Sequence, residues 1–249
     1  MLDLSDRPKR ALAVAAATAC VLLAGATPAS AAPGDASAYV ADAGVKLASA
    51  SVVDLGPLAP SGTAGAPTAR LARLALPGVA GADLVTSSAS RDDDTGVVRA
   101  GADLANVTLP LAQLGRIGAI DVDCEATQAG ITGRTALTDV RLAGVKVPLD
   151  PPPNTVVSVP TGPSPLVSLT FNEQTRSRDG ALTVNGVHLR LNAAVGEGDV
   201  VLGSATCGAA AAPVPLASGV GLWLGAGLLA MVAVPVAAVV VRRRRAVAA

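Results

Sequence analysis

Residues 169–191 read LTFNEQTRSRDGALTVNGVHLRL, and two strands joined by a polar turn fit them. Val167, Leu169 and Phe171 alternate with Ser168 and Thr170, the period of two that turns one face of a strand toward a core. Residues 176–180, RSRDG, supply the turn. Leu182 and Val184 open the returning strand, and Val187, Leu189 and Leu191 continue it on the opposite parity. That switch at Asn185-Gly186 predicts a bulge or a tight kink. Asn172, Glu173, Gln174, Asn185 and the chain's one histidine, His188, crowd into the same hairpin. His188 and Arg190 are expected to project away from the core, into solvent or a groove.

A catalytic reading needs more than this crowding. A serine hydrolase would use His188 as its base, yet no G-x-S-x-G elbow is present. A zinc site would have to recruit His188 together with two cysteines. A glycosidase would pair Glu173 with an aspartate, and no spacing selects one. The stretch reads as a hairpin first, with no catalytic residue, metal ligand or cofactor site assigned.

The same alternation runs outward through AYVADAGVKLASASVVDL, RLARLAL, ADLVTSSAS, GVVRAGADLANVTL, IGAIDVDCEATQA, TALTDVRLAGVKVPL and DVVLGSATC. Strand-length runs divided by Gly, Pro, Asp and Asn predict an all-β, antiparallel, hairpin-rich domain of sandwich type. Residues 109–114 suit one helical turn at most. PLDPPPNTVVSVPTGPSP, residues 148–165, reads as a stiff crossover with one edge strand, TVVSV, inside it. Around Cys124, Ile120 and Val122 share the cysteine's face, while Asp121, Asp123 and Glu125 take the other. Side chains on one strand face stand roughly 7 Å apart, too far for one calcium ion to gather all three. Asp92, Asp93 and Asp94 read as a surface turn.

The ends set the expected topology. Arg7, Lys9 and Arg10 precede a short apolar run and the small residues TPASAAPGD, the pattern of a secretory signal peptide over 1–31 cut between Ala31 and Ala32. Lipidation at Cys20, after ATA, is the alternative. Residues 216–241 are apolar apart from Ser218, and as a helix rising 1.5 Å per residue they exceed a ~30 Å hydrocarbon core. Arg242, Arg243, Arg244 and Arg245 then hold the 242–249 tail on the cytoplasmic side. An extracellular domain over 32–212 is thus followed by a linker and a single span within 213–241. Ala217, Gly221 and Gly225 repeat at every fourth position of that span and offer a face for a homodimer.

Composition removes several functions. The 32–212 segment holds 12 Lys plus Arg against 17 Asp plus Glu, a net of −5, which repels phosphate backbones and argues against a nucleic-acid partner. Tyr39 and Phe171 are its two aromatics, so no platform for stacking sugars or bases can be built from it. Once Cys20 is removed, Cys124 and Cys207 remain, and in an oxidising compartment they are expected to pair. The loop so closed is worth roughly 4.5 kcal/mol in a chain-entropy account.

PPPNT, LTFNEQ, ALTVNGVHLRL and DVVLGSATC, in that order, with SAYVADAGVKL near the start, resemble the choice-of-anchor P family. The resemblance covers most of 32–212 and is densest from Pro151 to Cys207. It implies a secreted surface protein, mainly of actinobacteria, with one type of outer domain on varying C-terminal anchors. It brings no assigned activity. Asn172, Glu173, Gln174, Asn185 and His188 match the family pattern and are candidate structural or binding positions. Before the span, PVPLASGVG lacks an LPxTG sortase motif, so retention in the membrane is expected.

The expectation is a membrane-anchored surface protein with a non-catalytic β-domain in binding, adhesion or envelope structure, its partner an envelope component or another surface protein. The alternatives are an envelope hydrolase using Glu173 or His188, and an accessory subunit of a membrane complex.

Overall fold

The computed structural model of the chain describes residues 33–47, 52–160, 165–194 and 196–212. The expected signal peptide with its cut at Ala31-Ala32 and its alternative at Cys20, the expected span with its face of Ala217, Gly221 and Gly225, and the arginines 242–245 lie outside these residues. Strands appear in the order β1 (Ala36–Leu47), β2 (Val52–Leu58), β3 (Ser61–Gly62), β4 (Thr68–Leu76), β5 (Ala80–Arg91), β6 (Val98–Leu109), β7 (Gly115–Thr127), β8 (Gly130–Thr138), β9 (Arg141–Leu142), β10 (Thr155–Val159), β11 (Val167–Arg176), β12 (Leu182–Leu191) and β13 (Gly196–Cys207). Among the described residues one 3-10 turn, Leu111–Gln113, interrupts them, the helical turn that the sequence allows. All pairing is antiparallel, as the hairpin-rich sequence predicts.

Two sheets face each other. The first runs β10-β11-β12-β13-β1-β2, with β3 added beside β1, and the second runs β4-β5-β6-β7-β8, with β9 beside β7. The proline-rich segment carries the chain from the second sheet to the first, and TVVSV forms the edge strand β10. Between the sheets lie Leu104, Ile120, Leu169, Phe171, Leu189 and Leu202, each at most 1% exposed. Burying one such side chain stabilises the fold by about 1.5–3 kcal/mol. Cys124 on β7 and Cys207 on β13 are bonded across this core, with Cα atoms 6.0 Å apart.

The parity switch in β12 is real, and of the two expected forms, bulge or kink, it takes the kink. Leu182 and Val184 face inward, then Val187 and Leu189, while the pairing with β11 and β13 continues without an extra residue. The neighbouring strands switch in step. Register places Asn172, Gly186, Gly203 and Val40 in one transverse row over β11, β12, β13 and β1. Asn172 (φ 50°) and Gly203 (φ 70°) are left-handed there, a backbone state that reverses the pleat. The row is a crease shared by four strands, and so no single strand needs an inserted residue. Its floor is bare because the other sheet presses on it. A Cβ at Gly186 would lie 2.6 Å from Val122 Cγ2, and one at Gly203 would lie 2.9 Å from the same atom. Val122 fills the hole that the two glycines leave.

Candidate functional site

On the outer face, the crease is bridged by side chains. Glu173, Asn185, Ser204 and Tyr39 occupy one register row on its near side, from β11, β12, β13 and β1. His188 lies beyond the crease on β12, and Arg190 and Asp199 follow as a pair from β12 and β13. Both sets converge on Glu173. Asn185 Nδ2 donates to Glu173 Oε2 over 2.8 Å, and His188 Nδ1 lies 2.7 Å from the same oxygen. Arg190 Nη2 donates to the other oxygen, Oε1, over 3.3 Å. Burial raises the pKa of the Glu173 carboxyl. The hydrogen bonds from Asn185 and His188, with the charges of His188 and Arg190, outweigh that and hold it below its ordinary value.

His188 is engaged at both ring nitrogens. Its Nε2 lies 3.1 Å from Asp199 Oδ2, opposite the contact with Glu173. Ionised carboxylates only accept, so a ring N–H that faces either one is its donor. Rather than reaching into solvent or a groove, His188 is buried under its two carboxylates at 8% exposure. The sequence places its side chain on the outer face but does not show that neighbouring strands cover it.

A second chain of hydrogen bonds reaches Glu173 from β1. The Tyr39 phenol, its pKa raised chiefly by burial, bonds Ser204. Ser204 Oγ donates to Asn185 Oδ1 over 2.8 Å. Among the described residues no hydroxyl bonds His188, and no Ser–His pair is assembled. Zinc ligation by His188 with the cysteines is excluded, because Cys124 and Cys207 are joined to each other. Among the described residues no group of three or more His, Cys, Asp or Glu side chains is arranged to hold a metal ion.

The five motif positions have different structural duties. Asn172 takes the left-handed conformation of the crease and donates from Nδ2 to Pro151 O over 2.8 Å, fastening the proline-rich crossover. Glu173 is the hub of the outer network. Gln174 reaches the other sheet, where Nε2 donates to Gly133 O over 2.8 Å. Asn185 and His188 complete the hub. Asp199, Ser204 and Tyr39 belong equally to it, and sequence reasoning missed them. Their polar alternation with buried neighbours is visible in the sequence, but the register that brings β11, β12, β13 and β1 together is not.

Elsewhere, Asp92 Oδ1 accepts from the backbone N–H groups of Asp94 and Thr95, which makes DDDTG a surface turn as expected. Asp121, Asp123 and Glu125 line the outer face of β7, and Arg134 and Arg99 pair with Asp123 and Glu125 at 2.7 and 2.8 Å. Burial, then the charges of Asp123 and Asp103, push the Asp121 carboxyl up to about 6.

Compared with protein-family models, with curated proteins and with solved structures, the chain matches none.

Proposed function

We propose that this chain is a membrane-anchored surface protein of the choice-of-anchor P type, whose β-domain binds an envelope or surface component and performs no catalysis. The observation that carries the reading is the closure of the hydrogen bonds around His188. With one ring nitrogen turned to Glu173 and the other to Asp199, neither is aimed at a substrate as a general base would be. The nearby Ser204 hydroxyl is turned to an amide oxygen and not to the imidazole. The network ties four strands together, which suits a rigid display surface. The basic start, the apolar 216–241 segment and Arg242–Arg245 support attachment by one C-terminal span.

The test is retention of the purified full-length chain, in detergent, on isolated cell envelopes before and after their proteins are stripped. Retention on stripped envelope supports recognition of the wall itself. Retention only on the unstripped material points to a protein partner. Failure on both, together with turnover of an envelope substrate that His188→Asn abolishes, would replace this reading with the hydrolase.

A further inference from the structure

The outer face of the second sheet holds a groove of about 430 Å³ across β5 to β8, with Gly101 of β6 at its floor. Nothing in the fold requires glycine there. A Cβ would find Val122 O at 3.4 Å, Asp123 Oδ1 at 3.5 Å and Ser88 Oγ at 3.6 Å, all ordinary contacts. Its backbone is not left-handed. Glycine inside a strand costs about 0.5–1 kcal/mol relative to alanine. A strand glycine that neither packing nor φ demands suits close approach of a ligand to the backbone.

The walls identify what would approach. Arg99 Nη2 donates to Glu125 over 2.8 Å, and Arg134 grips Asp123 Oδ2 through Nη2 at 2.7 Å and Nε at 3.1 Å. Two guanidinium groups thus balance two carboxylates, and the groove carries no net charge toward an anion or a cation. Hydroxyls of Ser88, Ser90 and Thr132 complete the lining, which contains no aromatic or large apolar side chain. Lipids, apolar metabolites and stacked bases therefore have no counterpart here. A row of neutral hydroxyls does, since each one donates to a carboxylate or serine and accepts from a guanidinium fork.

We propose that this groove binds a neutral saccharide, laid edge-on against the bare backbone at Gly101. The proposal names the ligand class of the binding reading above and rests on it. Recognition is by hydrogen bonds alone, without the ring stacking that the scarcity of aromatics rules out.

The experiment uses the full-length chain, immobilised in a detergent without a sugar head group. Neutral glucose, mannose and galactose tetrasaccharides are the probes, with galacturonic acid tetramer as the acidic control. At least one neutral probe should bind more tightly than the acidic one. Gly101→Leu should weaken that binding about tenfold or more, while Gly44→Leu, at a still more open position of the first sheet, should leave it unchanged. If thermal melting shows that Gly101→Leu misfolds, Arg99→Gln provides the same readout from the groove wall. Competition by polysaccharide from the organism's own stripped wall identifies an envelope source; competition by the tetrasaccharides alone identifies a free or foreign glycan. No neutral binding at ~10 mM probe, preference for the acid, or equal binding by both glycine variants overturns the proposal. Envelope retention that persists in Gly101→Leu without saccharide binding overturns the groove while the binding reading stands. Absence of retention and of saccharide binding in the unaltered chain removes both.

Discussion

Replacing Glu173 by alanine strands the donors of Asn185, His188 and Arg190 around an empty centre. Leaving buried donors without partners costs about 1–3 kcal/mol, so Glu173→Ala should lower the unfolding free energy by that much, read as a lower urea midpoint at an unchanged slope. The pH profile has a definite sign. The folded carboxyl titrates below its ordinary value of 4.5, so its stabilisation is present above that value and disappears as the pH falls through the lower, folded one. Glu173→Gln should therefore flatten the acid limb of a stability profile below pH 4.5. Asp121 has the opposite sign. Its folded pKa of about 6 stands above the ordinary 3.8, so ionising it strains the folded state, and stability rises as the pH falls between these values. After discounting for solvent screening, Asp121→Asn should gain on the order of 1 kcal/mol at pH 7–8 in the same assay, and nothing near pH 4. Neither behaviour is legible in the sequence alone. Alternation shows that both carboxyls point outward, but their charges depend on neighbours supplied by other strands.

The crease is an element-scale property, and Gly186 is its most exacting position. An added Cβ would meet Val122 and Ile120 side chains at 2.6 and 2.8 Å and Leu202 O at 2.9 Å. The backbone oxygen cannot move aside without disturbing the sheet. Gly186→Ala should cost about 1–3 kcal/mol in thermal or urea unfolding, whereas Gly44→Ala, with nothing within 4 Å, should be neutral or slightly stabilising. The change from even to odd apolar positions around Asn185-Gly186 was legible as a local break. A strand read by itself suggests a bulge or a local kink, since an inserted residue is a common way to exchange faces. The shared row of Asn172, Gly186, Gly203 and Val40 emerges only when four strands are aligned. The hairpins, the edge strand TVVSV and the inward cysteine required only local alternation, and all three are found where the sequence placed them.

At the scale of the whole molecule, one covalent link joins the two sheets. Removing it with Cys124→Ala plus Cys207→Ala should cost about 2–5 kcal/mol, measured by denaturant unfolding against the oxidised chain. The loss should fall on both sheets together, because their facing side chains form one buried cluster. Composition anticipated the pairing from a count of cysteines. It could not anticipate that the partners stand on interior strands of opposite sheets, β7 and β13.

That placement gives the molecule a load path. β13 lies between β12 and β1, and just beyond Cys207 the chain is held only by short contacts such as Gly208 N–H to Asp35 O and Ala211 N–H to Gly96 O. Tension applied at residue 212 peels these away and arrives at Cys207, where it divides into the opposite sheet through Cys124 before the interior of β13 feels it. The 83-residue separation between the cysteines is then locked out of the stretch. Pulled between its described ends, the oxidised chain should extend roughly 300 Å less than the reduced one at about 3.6 Å per residue. Pulled from that end, the chain resists along a covalent strut, and the strands that shape its outer faces stay in register under strain.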